Sequence, residues 1–417
     1  MPSHENIKPK TEAILAGLID DKSCDETLEE LALLSETAGA KVLAKVTQKR
    51  ASKDPAYYLG MGKAREIAEL VEGLGANAVI FDDDLTPVQI RNLENLIGVQ
   101  IIDRTTLVLD IFAQRARSLE GKIQVELAQL QHMLPRLTGK GVELSREGGG
   151  IGTRGPGETK LETDRRHIRR RITHLKKELE RIRKNRKLLR SSRKYPVISL
   201  VGYTNAGKST LMNALTGAGV SSNDRLFDTL DPTTRALLLP DGRRVLLSDT
   251  VGFIRKLPHE IVEAFKATLE EVKEADLLIH VVDASSPKAD EEISTVKSVL
   301  KEIGAENIPT ILALNKIDRV NHRELITGEE NVVEISALCG TNLDILREKI
   351  CQLLPQTREH ALLCIPYEYG FLLDEIHETS LVEREEFKQD GIEIEGKIDT
   401  ILLRRIKKYL SEKNACS

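Results

Sequence analysis

The segment GYTNAGKS, Gly202–Ser209, constrains the possible fold of this chain more than any other stretch. It follows the apolar run VISLV and precedes TLMNALTG, which is the strand, loop and helix order of a phosphate-binding P-loop. Glycines at both ends of the loop let backbone N–H groups face phosphates, Lys208 neutralises phosphate charge, and the Ser209 hydroxyl can bind Mg²⁺. The segment therefore predicts a nucleotide-binding α/β domain with a mixed, mostly parallel sheet.

Three further motifs follow predicted strands in the same region. In DTVG, Asp249–Gly252, the aspartate is expected to hold Mg²⁺ through water, and the glycine N–H to contact the γ-phosphate. In NKID, Asn315–Asp318, the last carboxylate can accept hydrogen bonds from N1–H and the exocyclic amine of guanine, whereas adenine presents an acceptor at N1. ISA, Ile335–Ala337, can offer a backbone N–H to the guanine carbonyl. The order of these motifs predicts GTP rather than ATP as the ligand.

A threonine between the P-loop and DTVG is expected to close the site over Mg²⁺. The candidates are Thr229, within LFDTLDPTTR, and Thr233 or Thr234 a little further along the chain. Their spacing alone does not choose among the three.

The length of 417 residues predicts several domains, at roughly one per 150 residues. Helical and strand signals alternate over residues 1–104, so a small parallel α/β domain is expected there. Over residues 105–194 apolar side chains recur at steps of three and four, which predicts a long helical hairpin with a glycine-rich tip at 138–160. The GTPase domain is expected over 195–355, and a small α+β domain over 356–417.

The basic residues of the chain are segregated. Arg165–Lys194 contains fifteen Lys or Arg and two Glu, a net charge of +13, whereas the whole chain carries −4. A basic segment on an otherwise acidic protein favours a polyanionic partner bound at one place. The simpler interpretation is the solvated face of a coiled coil, and the adjacent glycine-rich loop favours the first interpretation.

Other features of the sequence bound the possible functions. The five cysteines are scattered without a CxxC pair, so neither a disulfide framework nor a zinc site is indicated. The polar amino terminus and the lack of a long apolar run predict a cytoplasmic protein without a membrane span. The run DDD, Asp82–Asp84, is interpreted as a solvated helix start rather than a metal cluster. LGMGK, Leu59–Lys63, is interpreted as a turn, with a second nucleotide site as the alternative.

The motifs GYTNAGKST, LFDTLDPTTR, DTVGFI and NKID, preceded by GGGIGTRGPGETKLETDRR, closely resemble those of the HflX family of ribosome-associated GTPases, relatives of the Obg group. The resemblance implies a GTPase that binds the large ribosomal subunit and its RNA and dissociates stalled or idle ribosomes under stress. It identifies Thr229 as the threonine that closes on Mg²⁺, with Thr234 as the fallback. A monomer, partly associated with ribosomes, is expected.

The expected site residues fall into four groups. Those expected to act in catalysis are Lys208, Thr229, Asn205 and Gly252. Those expected to contact the nucleotide are Gly202, Tyr203, Thr204, Asn205, Ala206, Gly207, Lys208, Ser209, Thr210, Phe227, Asp228, Thr229, Leu230, Asp231, Asp249, Thr250, Val251, Gly252, Asn315, Lys316, Ile317, Asp318, Ser336, Ala337 and Leu338. Mg²⁺ is expected on Ser209 and Thr229, with Asp249 bound through water. Those expected to contact RNA are Arg146, Arg154, Lys160, Arg165, Arg166, Arg169, Arg170 and Lys177.

The residue after DTVG raises a mechanistic question, because GTPases often place there a glutamine that orients the attacking water. In this chain it is Phe253, which has no hydrogen-bonding group. Two routes are expected to compensate: a K⁺ ion held with the help of Asn205, or ordering of the site by the ribosome. Slow intrinsic hydrolysis that ribosomes stimulate is therefore predicted.

Two other functions remain open from the sequence. One is a ribosome assembly or RNA-remodelling factor that uses GTP as a timer, with an ATP-dependent activity in the amino-terminal region. The other is a ribosome-binding module in which hydrolysis is vestigial.

Overall fold

The chain divides into two compact units. The first consists of Met1–Ser192, Ser222–Pro232 and Thr250–Glu270, and the second of Arg193–Ser221, Thr233–Asp249 and Glu271–Ser417. The computed structural model describes residues 11–19, 26–50, 52–137, 156–190, 195–217, 233–250, 252–253, 272–320, 330–354, 358–389, 391–399, 402–403 and 406–407. The division into four domains stays a prediction.

The first unit begins with a small sheet flanked by helices. Its elements are β1 (Glu12–Ile19), α1 (Glu26–Thr37), β2 (Lys41–Lys49), α2 (Met61–Leu74), β3 (Ala78–Phe81), α3 (Pro87–Ile97), β4 (Gln100–Ile102) and α4 (Arg104–Arg115). The strands are all parallel in the order β2-β1-β3-β4. Successive residues of a strand face opposite sides, so Ile14 and Leu15 of β1 enter separate apolar cores. The predicted parallel α/β arrangement is confirmed, and β1 adds a strand to it.

The acidic run that follows β3 is engaged by neighbouring side chains. Asp82 is 2% exposed and accepts a hydrogen bond from Arg104 Nη1 at 2.6 Å. The next two carboxylates accept hydrogen bonds from the hydroxyls of Tyr58 and Thr105, and α3 begins only after its cap, Thr86. The interpretation of this run as a solvated helix start is therefore wrong. These carboxylates hold the loops together at the carboxyl end of the sheet.

The helical hairpin is formed by α5 (Leu119–Arg136) and α6 (Pro156–Arg190). Apolar side chains spaced three and four residues apart on the two helices pack into one small core. The Arg171 guanidinium of α6 adds two hydrogen bonds to the Glu126 carboxylate of α5, at 2.7 and 2.8 Å. The predicted pairing of two amphipathic helices is confirmed.

The first helix predicted for this hairpin is two helices in the structure. The break lies before Ser118, whose hydroxyl accepts a hydrogen bond from the Gly121 N–H at 2.9 Å and so caps α5. α4 packs instead in the core of the first sheet, where Phe112 is buried. At the tip, α6 already begins at Pro156, since proline is favoured in the first helical turn. The rest of the glycine-rich tip, 138–155, lies outside the described residues.

The second unit contains a larger sheet. Its elements are β5 (Val197–Gly202), α7 (Lys208–Thr216), β6 (Thr233–Leu238), β7 (Arg244–Asp249), β8 (Leu277–Asp283), α8 (Ala289–Glu302), β9 (Thr310–Asn315), β10 (Val332–Glu334) and α9 (Leu343–Leu353). The strand order is β10-β9-β8-β5-β7-β6, and only the pairing of β6 with β7 is antiparallel. This is the mixed, mostly parallel sheet that the P-loop predicts.

A small antiparallel sheet follows in the same unit. It is formed by β11 (Arg358–Ile365), β12 (Leu381–Lys388) and β13 (Gly391–Asp399), in the order β11-β13-β12, with α10 (Leu372–Thr379) between β11 and β12 in the chain. One apolar core joins the sheet, α10 and the side chains of Leu402, Leu403 and Ile406, and it confirms the predicted α+β arrangement. Across the ranges that the structure describes, every helix is too short or too polar to cross a membrane.

His280, in the middle of β8, gives the second unit a predictable acid sensitivity. The side chain is 2% exposed, and its Nε2 finds no hydrogen-bond partner among the described residues. Burial, together with the positive charges of Lys297 and Lys208, lowers the pKa of His280 from 6.5 to about 3. The folded state then binds fewer protons than the unfolded chain between those values, so stability present above pH 6.5 is lost as the pH falls toward 3.

Replacing His280 with leucine is expected to remove this acid sensitivity. When the pH is lowered from 7 to 5, the free energy of unfolding of the His280→Leu protein should fall by about 2 kcal/mol less than that of the unaltered protein. Urea titrations at the two pH values measure this difference. His167→Leu, at an exposed position on α6, is the matched control and should behave like the unaltered protein. Equal pH dependence in the His280 variant would contradict the assignment.

Candidate nucleotide-binding site

The carboxyl ends of the parallel strands in the larger sheet bring the predicted motifs together. Leu200 pairs with Asp249 across β5 and β7, and Gly202 pairs with Val281 across β5 and β8. The last residues of β8 and β9 lie side by side in the same way. Ligands of open α/β sheets bind outside the carboxyl ends of the strands. The P-loop, the start of DTVG and the start of NKID therefore meet at one edge of the sheet.

Two glycines of the P-loop are required by close approaches of other groups. Gly202 has a φ of 152°, and a Cβ added there would lie 2.2 Å from the Val281 carbonyl oxygen. Gly207 has a φ of 95°, and a Cβ there would lie 2.2 Å from Asn315 Nδ2. Any side chain would displace these neighbours or the loop. The spacing of the two glycines thus follows from the two places where β8 and the NKID motif pack against the loop.

Lys208 is held inside the P-loop by the loop itself. Its Nζ donates hydrogen bonds to the carbonyl oxygens of Gly202 at 3.0 Å and Tyr203 at 2.8 Å. Burial lowers the pKa of Lys208 to about 8, and the negative charge of Asp249 acts in the opposite direction. A buried ammonium group held by carbonyl oxygens is well placed to exchange them for phosphate oxygens, because a charged acceptor forms the stronger hydrogen bond.

The oxygen atoms expected to hold Mg²⁺ lie together beside Lys208. The Ser209 hydroxyl donates to Asp249 Oδ2 at 2.7 Å, and Asp249 is 1% exposed. Hydroxyl, carboxylate and phosphate oxygens are the ligands that Mg²⁺ prefers, and it keeps several waters when it binds nucleotides. Within the described ranges no three His, Cys, Asp or Glu side chains cluster to hold a metal unaided. These two residues fit a magnesium ion that nucleotide phosphates help to hold.

The NKID motif connects the P-loop to the segment that follows β10. The Asn315 side chain donates from Nδ2 to the Ala206 carbonyl oxygen at 2.9 Å, and its Oδ1 accepts a hydrogen bond from the Ala337 N–H at 2.9 Å. The Ser336 hydroxyl donates to Asp318 Oδ1 at 2.6 Å, which orients this carboxylate. These contacts place Asp318, the residue predicted to read guanine, beside the segment that follows β10.

A further residue of this site carries no signature in the motifs. Asp283, the last residue of β8, accepts a hydrogen bond from Lys316 Nζ at 2.7 Å, and Lys316 also donates to the Asn205 carbonyl oxygen at 2.8 Å. The sequence gives one signal for this residue: a carboxylate at the carboxyl end of an apolar strand, LLIHVVD. Such a position predicts proximity to the other strand ends but does not identify the partner.

The structure describes most of the predicted nucleotide-binding residues, but not all of them. Outside its described ranges lie Phe227, Asp228, Thr229, Leu230, Asp231 and Val251. The other candidate threonines begin β6, where Thr233 pairs with Asp249 and Thr234 pairs with Ser248. The choice of Thr229 therefore stays a prediction. Leu338, at the far end of the guanine-reading segment, is 74% exposed.

The residues predicted to contact RNA follow the solvent-facing side of α6 where they are described. Arg166, Arg169, Arg170 and Lys177 are exposed, and Arg165 is half-buried. Their spacing of three, four or seven residues keeps the exposed residues near one another on the helix surface. Two of the predicted arginines, at positions 146 and 154, lie outside the described residues, as does the side chain of Lys160.

Comparison with known proteins assigns most of the chain. Three sequence families match: "GTP-binding GTPase N-terminal" over residues 25–113, "GTP-binding GTPase Middle Region" over 115–193 and "50S ribosome-binding GTPase" over 197–316. A protein of Caldanaerobacter subterraneus named GTPase HflX is 50% identical over 97% of this chain and 95% of its own length. One of Escherichia coli K12 with the same name is 46% identical over 88% of each chain. A solved GTP-binding protein of Sulfolobus solfataricus with GDP is 32% identical over 82% of this chain and 98% of its own, with a TM-score of 0.45. With half of its residues shared over nearly its whole length, the chain belongs to the HflX family of GTPases.

Proposed function

We propose that this ribosome-associated GTPase binds the large ribosomal subunit and dissociates stalled or idle ribosomes under stress. The observation that carries the proposal is the pairing of two features in one chain. A nucleotide site with a guanine-reading segment lies in the second unit, and α6 exposes a row of basic side chains in the first. The description "50S ribosome-binding GTPase" for the family that matches residues 197–316 supports the choice of partner.

Ribosomal RNA is the polyanion that suits α6. Residues 165–194, most of which lie in α6, include fifteen basic residues against two acidic ones, and Arg166, Arg169, Arg170 and Lys177 among them are exposed. Folded RNA offers closely spaced phosphates and a deep, narrow groove, so it is bound mostly by shape and by backbone contacts. A narrow basic hairpin can contact such phosphates without a flat recognition surface.

GTP hydrolysis at the site needs phosphate binding, charge neutralisation and base recognition. Lys208 supplies a buried ammonium group for the β- and γ-phosphates, and Asp318 selects guanine. Ser209 and Thr229 would hold Mg²⁺ directly and Asp249 through water, and the ion would neutralise charge on the phosphates. Because Ser209 and Asp249 already lie in hydrogen-bond contact, little rearrangement of these side chains is needed.

The attacking water requires help from outside the DTVGF segment. Phe253 is 2% exposed and has no group that can orient water. Asn205, which is exposed at the P-loop, supports K⁺ binding as one route. A cation there would neutralise charge between the β- and γ-phosphates, as an arginine finger does. Ordering of the site by the ribosome is the second route.

Sedimentation of intact ribosomes tests the proposed function directly. With protein and GTP, or with protein and a non-hydrolysable analogue, the peak of intact ribosomes should shrink while the subunit peaks grow. Comigration of the protein only with precursor particles would contradict the proposal and favour an assembly factor. Comigration with intact ribosomes that never dissociate would contradict it as well, and would favour a binding module.

Reversing charges on α6 is expected to weaken ribosome binding without affecting the nucleotide site. Arg169→Glu, Arg170→Glu and Lys177→Glu together should also make the slope of log affinity against log salt concentration shallower by about two to three. Each phosphate contact releases about one counterion on binding, and the variant makes fewer such contacts. Ribosome pelleting over a salt series measures this change.

The matched control reverses three exposed basic residues of other helices. Arg65→Glu, Arg91→Glu and Lys301→Glu make the same change in net charge at positions off α6. These substitutions should leave most of the ribosome affinity and the salt slope intact. Equal effects of the two triple variants would mean that overall charge, rather than α6, drives binding.

A further inference from the structure

We infer that Asp283 is a positioning residue of the nucleotide site, which holds Lys316 so that one ammonium group joins the guanine-reading motif to the P-loop. The inference rests on nucleotide binding at this site and does not depend on the ribosomal role. Asp283 itself lies outside the P-loop, DTVG and NKID motifs, and Lys316 connects it to two of them.

The Asp283 carboxylate is oriented on both of its oxygens. Oδ1 accepts hydrogen bonds from the Ser285 N–H at 2.9 Å and the Ser285 hydroxyl at 2.6 Å. This leaves Oδ2 for Lys316 Nζ, at 2.7 Å. The two side chains of the ion pair are only 19% and 17% exposed, so water screens the pair less than it would on an open surface. The carboxylate is thus held in one orientation by contacts within the protein.

Lys316 passes this constraint to the P-loop. Its φ of 65° is left-handed, as is the φ of 62° at Asn205, and each non-glycine residue needs support from its surroundings to keep this conformation. The Lys316 ammonium group supplies that support at Asn205, whose carbonyl oxygen accepts its hydrogen bond at 2.8 Å. Two of the three N–H donors of this ammonium group are therefore used to hold Asn205 and Asp283 together.

Neighbouring residues of NKID hold neighbouring residues of the P-loop. Asn315 binds the Ala206 carbonyl oxygen, and Lys316 binds the carbonyl oxygen of Asn205. Loss of the Asp283 charge would free the Lys316 ammonium group while leaving the bond from Asn315 in place. We therefore expect the P-loop to keep its fold but to hold phosphates less firmly, so that bound nucleotide dissociates faster.

The sign of the effect separates positioning from simple electrostatics. Asp283 carries a negative charge near a site for an anionic ligand, so direct repulsion alone would weaken nucleotide binding. Removing that charge would then slow dissociation. Positioning through Lys316 predicts the opposite result, because the lost constraint outweighs the lost repulsion.

The test is the dissociation rate of a fluorescent GDP analogue from the full-length protein. Asp283→Asn should accelerate dissociation about tenfold, within the range of couplings measured between residues in direct contact. The matched control is Asp276→Asn, which removes the same charge just before β8, at the opposite end of that strand from Asp283. Asp276 Oδ2 accepts a hydrogen bond from the Val197 N–H at 2.8 Å. That variant should change the rate less than twofold. Slower or unchanged dissociation in Asp283→Asn would overturn the inference.

A double-mutant cycle shows whether the effect passes through Lys316. In a Lys316→Met background, Asp283→Asn should change dissociation less than twofold, because the ammonium group that it positions is gone. Full additivity of the two substitutions would mean that Asp283 acts by another path.

Ser285→Ala removes one of the bonds that orient the carboxylate and should accelerate dissociation by roughly threefold. This milder change keeps the inference testable if Asp283→Asn fails to fold, and an unchanged rate in Ser285→Ala would then count against it.

Discussion

Replacing Asp318 with asparagine is expected to turn a guanine-binding site into a xanthine-binding one. The Asp318 carboxylate can accept hydrogen bonds from guanine N1–H and the exocyclic amine, whereas an amide would place a donor against them. Xanthine has a carbonyl in place of that amine, so the amide donor suits it. The expected loss of GDP affinity is at least about 100-fold, because two hydrogen bonds to a charged group are lost. Competition of GDP and xanthosine diphosphate against a fluorescent nucleotide measures both changes.

The structure supplies a control for this substitution. Asp344, on α9, has a side chain that is 89% exposed and pairs with Arg347 at 2.9 Å. Asp344→Asn removes the same charge from the same unit without touching the guanine-reading residues, and should leave both affinities unchanged. GDP binding that survives Asp318→Asn would contradict the assignment of NKID as the base-reading motif.

The parts of the site that the sequence predicted are those fixed by local constraints. A glycine is needed where the P-loop approaches Val281 and again where it approaches Asn315, so the loop has a recognisable spacing. Lys208 and Ser209 follow directly because they begin the helix after the loop. Motifs at the ends of parallel strands also converge without further information, since those ends share one edge of the sheet.

The parts that the sequence did not predict depend on which distant side chains meet. Asp283 and Lys316 are 33 residues apart, and nothing in the spacing of charges indicates that they form an ion pair. The same holds for Asp82, whose partner Arg104 follows 22 residues later. A run of three aspartates resembles a solvated helix start unless its partners are known. Tertiary contacts decide between these interpretations, and the local sequence pattern does not predict those contacts.

Apolar periodicity also left one boundary undetermined. The spacing from Leu109 to Leu134 fits a single helix, yet the helix is interrupted before Ser118, which separates α4 from α5. Both helices bury one apolar face, but α4 packs in the core of the first sheet and α5 packs against α6. Periodicity reports that a face is buried and not what it is buried against.

Ribosomal particles are expected to raise GTP hydrolysis by at least about tenfold, a low figure beside the gains known when a partner completes a GTPase site. Lys208→Ala should reduce the stimulated rate at least about 100-fold, because removing one group aimed at developing phosphate charge has an effect of that order. The Lys208 ammonium group lies buried beside the carbonyl oxygens of Gly202 and Tyr203, and Lys208→Ala removes its charge from the site. Phosphate release from the protein with and without ribosomes measures both effects.

Phe253 should behave in the opposite way to Lys208. It is buried and has no hydrogen-bonding group, so it serves packing rather than chemistry, and Phe253→Ala should keep much of the ribosomal stimulation. Truncating a buried phenylalanine costs about 3 to 5 kcal/mol of stability, so Phe253→Leu, which keeps most of the volume, is the variant to compare at equal folded fraction. A K⁺ dependence of hydrolysis that disappears in Asn205→Ala would mean that a cation supplies positive charge at the phosphates. Ribosomal stimulation without K⁺ dependence would mean that the ribosome orders the attacking water. Hydrolysis that is equally fast without ribosomes, or that stops in a folded Phe253→Leu protein, would contradict this account of DTVGF.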